Sequence, residues 1–224
     1  MQSSPIGQAK WLARRWLFCY CVIMKTIDTL MRLAPVIPVL VIDDARHAVA
    51  IAEALVAGGL PVLEVTLRTA AALDVIREMK SVPGAIVGAG TVLNPADLNA
   101  ALAAGAEFIV SPGLTEPLGK AAIASGVPFL PGTANAGDVM RGLDLGLTHF
   151  KFFPAEASGG IAALKSIAAP FGMARFCPTG GITQSSMAQW LALEPVLCVG
   201  GSWLVGKGLP NVAAIEAAAR AASA

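Results

Sequence analysis

An eightfold alternation of strand and helix signals constrains this chain more than anything else in it. Short β-branched or apolar runs stand at VIPVLVI (36–42), PVLEVTL (61–67), AIVGAG (85–90), EFIVS (107–111), VPFLPG (127–132), THFKFFP (148–154), ARFCPTG (174–180) and VLCVGG (196–201). After each comes an Ala/Leu-rich segment with helical periodicity: 44–57, 70–80, 95–104, 116–125, 136–145, 159–169, 184–193 and 211–222. Strands joined through helices must run parallel, and a parallel sheet is covered on both faces. Eight such units without a second composition zone predict a closed (β/α)8 TIM barrel, with a short extra helix over 25–34 before the first strand. An open doubly wound sheet is the alternative. Against it, no GxGxxG opens the first strand–helix turn.

The punctuation between units agrees. Asp43, Thr69, Asn94, Thr115, Asn135, Ser158 and Thr183 are candidate N-caps, whose side-chain oxygens accept a free backbone N–H. Pro95 follows Asn94 at the first helical position, where the missing N–H costs nothing. Gly58, Gly105, Gly126 and Gly146 follow helices, where a left-handed turn is expected.

Composition narrows the class. Of 224 residues, 14% are charged and 55% hydrophobic, which excludes a disordered chain. The net charge of +1 argues against nucleic-acid binding. Mean hydropathy is high, at +0.67. The longest apolar run near the N-terminus, Trp16–Met24, is nevertheless far shorter than the ~20 residues a spanning helix needs, so no membrane role is expected. Charge is unevenly placed: residues 1–25 carry Lys10, Arg14, Arg15 and Lys25 with no acid, whereas the remainder is net acidic. Two arginines followed by WLFCYCVI resemble the start of a signal peptide, but no small-residue cleavage site follows before Lys25. Residues 1–24 are read as a leader, disordered or translated from upstream of a true start at Met24, and 25–224 as a single barrel domain.

Cys19, Cys21, Cys177 and Cys198 include no CxxC pair, and the two histidines, His47 and His149, are too few for a His-rich site. Neither a disulfide scaffold nor a metal site is expected, and a reducing cytoplasm fits best. Cys177 and Cys198 are read as packing residues. His149, near the start of its strand, is read as structural or exposed.

In a barrel of this kind the active site lies where strands end. Those ends are chemically rich: Glu64-Val-Thr-Leu-Arg68-Thr69, Gly88-Ala-Gly-Thr91, Ser111-Pro112-Gly113, Pro131-Gly132-Thr133, Lys151-Phe-Phe-Pro154, Thr179-Gly180-Gly181 and Gly200-Gly201-Ser202. Of seven lysines, only Lys151 stands inside an apolar strand run. Alternation sets it opposite to Phe150 and Phe152. With the phenylalanines under the helices, the amine points into the barrel, where desolvation disfavours the ammonium form and favours a nucleophile. Glu64 interrupts another strand centre and needs a partner or a proton-transfer role. Arg68 lies just past that strand, where a guanidinium can clamp a carboxylate bidentately. A structural Glu64–Lys151 ion pair and a solvated Arg68 are the bland readings. Amine, carboxylate and rim arginine together favour Schiff-base chemistry on a keto acid. The glycine pairs ending strands 7 and 8 suit an anion held by backbone N–H groups, the usual phosphate position in such barrels.

These strand ends also carry a family resemblance. LVAGG (55–59), LEVTLRT (63–69), VGAGTVLNP (87–95), SPGLTEP (111–117), FKFFPAE (150–156), RFCPTGGI (175–182) and CVGGSWLV (198–205) resemble the class I 2-keto-3-deoxy-6-phosphogluconate (KDPG) and 4-hydroxy-2-oxoglutarate aldolases. The resemblance implies that Lys151 forms the Schiff base and Glu64 is the general acid/base. It implies that Arg68 and Thr91 hold the pyruvate carboxylate, that Pro112 and Phe153 shape the pocket, and that Thr179 reads the rest of the substrate. Gly180, Gly181, Gly201 and Ser202 would receive phosphate. It further implies a homotrimer, a phosphorylated keto-acid substrate, and neither metal nor cofactor. The chain departs from the pattern at GTANAGD (132–138), where Gly-Ile-Ser-Thr or similar is expected, in a loop facing the site. Aldolases acting on 4-hydroxy-2-oxoglutarate or the galactonate epimer therefore remain open. So do a sugar-phosphate isomerase or epimerase using Glu64 without an imine, and a non-catalytic phosphate-binding barrel.

Overall fold

The computed structural model describes residues 26–206 and 208–224; the expected leader lies outside them. The chain opens with α1 (Ile27–Arg32), started by a capping box between Thr26 and Thr29. Then come β1 (Val36–Leu40), a 3-10 turn (Ala45–His47), α2 (Ala48–Ala57), β2 (Val62–Thr66), α3 (Ala72–Met79), β3 (Ile86–Gly90) and α4 (Pro95–Ala103). The second half runs β4 (Ile109–Val110), α5 (Glu116–Ser125), β5 (Phe129–Leu130), β6 (Gly132–Thr133), α6 (Ala136–Asp144), β7 (His149–Phe152), α7 (Gly160–Ala168), β8 (Arg175–Pro178), α8 (Met187–Leu191), β9 (Val199–Gly201) and α9 (Val212–Ser223).

All strand pairs are parallel. Two sheets, β5-β4-β3-β2-β1-β9 and β6-β7-β8, make up the ring. β5 and β6 are successive halves of one barrel position, interrupted at Pro131, which has no N–H to give a ladder. Single parallel bridges, Phe176 to Val196 and Thr179 to Gly200, join β8 to the last strand and close the circle. The (β/α)8 barrel expected from the alternation is what forms.

Alternation along each strand sorts the side chains into two cores. Leu63, Val65, Phe150, Phe152 and Phe176 face outward into a continuous layer beneath the helices. Ile37, Val62, Phe108, Val110, Leu130, Cys177 and Cys198 form a second cluster with Leu30 and Met31 of α1. This inner cluster fills the lower barrel, and α1 plugs its bottom. Asp28 of α1 accepts from Arg32 and pairs with His149 Nε2 at 3.0 Å, so His149 ties the plug to β7.

Two helix starts use one device. Asn94 Oδ1 accepts from the Asp97 N–H, while Asp97 Oδ2 accepts from the Leu93 N–H and the Asn94 amide. Asn135, Asp138 and Ala134 repeat the arrangement. The unusual GTANAGD segment is thus pinned by its own cap.

Other cap expectations are corrected. Asp44, not Asp43, caps the 3-10 turn through the Arg46 N–H. Thr69 does not cap α3, whose N-cap is Ala71; its hydroxyl donates instead to the Ile42 carbonyl across to the end of β1. Thr115 holds the N-cap position of α5 without a side-chain cap bond. Gly159, with φ of 103°, replaces Ser158 as the N-cap of α7. Thr183 exchanges bonds with Ser186 one turn before α8. Gly58 is right-handed, with φ of −77°, and the positive φ belongs to Gly59. Gly58 is needed for space, since a Cβ there would lie 2.4 Å from that of Ala219 on α9.

Candidate active site

The buried polar residues of the described chain are Glu64, Thr66, Ser111, Thr133, Lys151 and Thr179. All lie toward the C-terminal ends of strands, and Glu64 and Lys151 are the charged members. Burying a charge is costly unless it is paired. Here the two face each other across the barrel interior: Lys151 Nζ donates to Glu64 Oε1 at 2.8 Å and lies 3.2 Å from Oε2. They are 5% and 3% exposed, so bulk water does not mediate the contact. The ring of Phe153 caps the amine, its centroid 5.5 Å from Nζ.

The backbone makes room for this pair. Gly90, in register with Thr66 on β2, has no Cβ; one added there would lie 2.2 Å from Glu64 Oε1. Gly132, in register with Lys151, packs against the next turn: a Cβ added there would lie 2.1 Å from the Pro112 carbonyl oxygen. Thr66 Oγ1 donates to the Leu40 carbonyl, tying β2 to β1 above the carboxylate.

The rim carries the remaining predicted residues. Arg68 follows β2, is exposed, and has no ion-pair or hydrogen-bond partner among the described residues. Thr91, just past β3, has φ of 58°, a left-handed conformation that a β-branched residue rarely adopts and that costs backbone strain. Pro112 follows β4, and Ser111 Oγ donates to the Gly113 carbonyl, tightening that turn. Thr179 is buried just beyond β8; a Cβ on Gly200 would lie 2.2 Å from its hydroxyl. Gly180 and Gly181 have φ of 103° and 84°. The Thr179–Gly200 bridge sets their loop beside Gly201 and Ser202. The predicted site residues therefore all lie in the C-terminal halves of strands or just past their ends.

The family model for KDPG and KHG aldolase matches residues 27–218, nearly the whole described chain. The chain belongs to this aldolase family. Among curated relatives, the 2-dehydro-3-deoxy-phosphogluconate aldolase of Zymomonas mobilis is 63% identical over 201 residues, 90% of this chain and 97% of its own. Among solved structures, the Z. mobilis KDPG aldolase with 3-phosphoglycerate superposes with a TM-score of 0.87 at 64% identity, covering 88% of this chain and 95% of that one. The Legionella pneumophila KDPG aldolase, with pyruvate captured as a covalent carbinolamine, gives 0.86 at 43% identity, over 89% and 98%.

Other groups in this family member serve packing. Cys177 and Cys198 are free and buried, and a hydrogen bond from the Cys198 thiol to Cys177 together with burial holds that thiol well above its usual range, so it stays neutral. Among the described residues no three His, Cys, Asp or Glu side chains converge to hold a metal ion, and no helix is long and apolar enough to cross a membrane. An open cavity of about 420 Å³ lies at the opposite end of the barrel, lined by Lys165, Phe171, Arg175 and Glu194, and shares no residue with the site. The sequence reading missed two features. One is the demand that Glu64 places on Gly90. The other is Glu156, whose Oε1 accepts from the Trp190 indole at 3.2 Å; that contact spans two strand–helix units and leaves no local pattern.

Proposed function

We propose that this protein is a class I aldolase that cleaves KDPG to pyruvate and glyceraldehyde 3-phosphate through a Schiff base on Lys151. The observation carrying this reading is the buried 2.8 Å contact between Lys151 Nζ and Glu64 Oε1. It gives the amine a place to deliver its proton before attack. The neutral amine adds to the C2 ketone, and Glu64 returns the proton to the carbinolamine oxygen. Loss of water leaves an iminium, and Glu64 is again a carboxylate. Glu64 then takes the C4 hydroxyl proton as the C3–C4 bond breaks. The iminium accepts that electron pair and becomes an enamine, and glyceraldehyde 3-phosphate departs. Glu64 protonates the enamine at C3, and hydrolysis frees pyruvate and restores the lysine. Positioned acid–base catalysis of this kind contributes about 10²–10⁴-fold.

Arg68 and Thr91 hold the pyruvate carboxylate at the rim. Pro112 and Phe153 shape the pocket, and Thr179 reads the substrate beyond the cleaved bond. Gly180, Gly181, Gly201 and Ser202 bind the phosphate through backbone N–H groups and a hydroxyl. The enzyme works without metal or cofactor, in the cytoplasm, as a homotrimer, with 25–224 as its one catalytic domain. The relation to Z. mobilis 2-dehydro-3-deoxy-phosphogluconate aldolase supports KDPG as the substrate.

The family description also names KHG, so a second substrate has a specific footing. Pyruvate release from KDPG, its galactonate epimer and 4-hydroxy-2-oxoglutarate, compared as kcat/KM, tests the assignment. KDPG is expected to be the best of the three; a higher value for either rival would reassign the substrate.

A further inference from the structure

Glu156 is an acid immediately beside the loop read above as the phosphate site, where a free carboxylate would repel the ligand. Its surroundings give it another role. Past β7 the chain continues alongside the end of β8: the Ala155 N–H donates to the Thr179 carbonyl at 2.8 Å, and the Glu156 N–H to the Gly180 carbonyl at 3.1 Å. The Glu156 stem then lies against Gly181, where a Cβ would sit 2.6 Å from Glu156 Cγ. Its carboxylate accepts from Nε1 of Trp190, which is fully buried on α8 and whose ring lies 6.4 Å from that of Phe152. Glu156 therefore couples three elements: the turn after the Lys151 strand, the Gly180–Gly181 loop and α8. A buried indole N–H needs an acceptor, and a charged acceptor gives a strong, directional bond.

We propose that Glu156 is a positioning residue for the phosphate end of the substrate: its bond to Trp190 holds the Gly180–Gly181 backbone where N–H groups meet the phosphate. This rests on the aldolase reading above. The carboxylate itself does not touch the ligand.

The test compares KDPG with its unphosphorylated counterpart, 2-keto-3-deoxygluconate, on the full-length protein. Glu156→Ala is expected to raise KM for KDPG about ten-fold while kcat, and KM for the unphosphorylated substrate, stay near wild type. Glu156→Gln keeps an oxygen acceptor for the indole and should restore the KM for KDPG. Trp190→Phe removes the donor but keeps an aromatic ring in the core, so it should match Glu156→Ala, and the double variant should be no worse than either. Equal KM changes for both substrates, or an unchanged ratio in both single variants, would overturn the proposal. If the wild type itself shows no preference for KDPG over the unphosphorylated acid, the phosphate-loop reading falls first and this inference with it.

Discussion

Lys151 Nζ and Glu64 Oε1 stand 2.8 Å apart inside the barrel, both nearly sealed from water. A pair like this is a weak net contributor to stability, but removing one partner strands the other charge. Lys151→Met should therefore lose about 3–5 kcal/mol in urea unfolding, and Lys151→Met/Glu64→Gln should recover a large part of it. Both are expected to be inactive. Equal stability of the single and double variants would show that Glu64 does not depend on Lys151 for its charge.

Glu64→Gln alone keeps the shape and an acceptor for the lysine but cannot shuttle a proton. Its kcat for KDPG cleavage should fall by about 10²–10⁴-fold while the chain remains folded. A kcat near wild type would place the acid–base role elsewhere.

Arg68 is exposed and has no partner among the described residues. Arg68→Ala should change stability by no more than about 0.5 kcal/mol. A lost charged hydrogen bond to the substrate should nevertheless raise KM for KDPG and for pyruvate by about 10–100-fold. Loss of stability without a change in KM would make Arg68 structural.

Gly90→Ala would drive a methyl group to 2.2 Å from Glu64 Oε1. The carboxylate has to move, so kcat/KM should drop at least about ten-fold, with about 1–3 kcal/mol of overpacking cost. Ordinary turnover in this variant would mean that the Glu64 position is not critical.

At the other end of the barrel, Arg32 and then His149 hold the Asp28 carboxyl below its ordinary value. A depressed carboxylate stabilises the fold above its unfolded value, and that contribution is lost as pH falls through the folded one. Wild-type stability should thus decline below about pH 4 more steeply than that of Asp28→Asn. The Asp28 side chain is 39% exposed, so solvent screens the contact and the difference should stay under about 1 kcal/mol. Parallel pH dependences from urea midpoints would contradict the role given to this contact.

The sequence made the barrel legible because eight strand signals alternate with eight helical ones and few charges interrupt the strands. Lys151 and Glu64 stood out for the same reason, and their neighbours in the strand, Phe150 and Leu63, do face the helices. Local capping was less legible. Thr69 looks like a cap in sequence, but the Ile42 carbonyl, from a different unit, claims its hydroxyl. VPFLPG (127–132) looks like one uninterrupted strand in sequence, because the missing N–H of Pro131 matters only once the neighbouring strand is in register. The Glu156–Trp190 bond depends on the folded approach of α8 to the turn after β7, which no periodicity encodes.

Borohydride reduction in the presence of pyruvate, followed by intact-mass and peptide analysis, tests the central claim most directly. A covalent imine should be trapped as a secondary amine, adding the mass of one pyruvic acid less one oxygen atom, on the peptide containing Lys151, and the adduct should be absent from Lys151→Met. No adduct in the wild type, or an adduct on another lysine, would contradict the account.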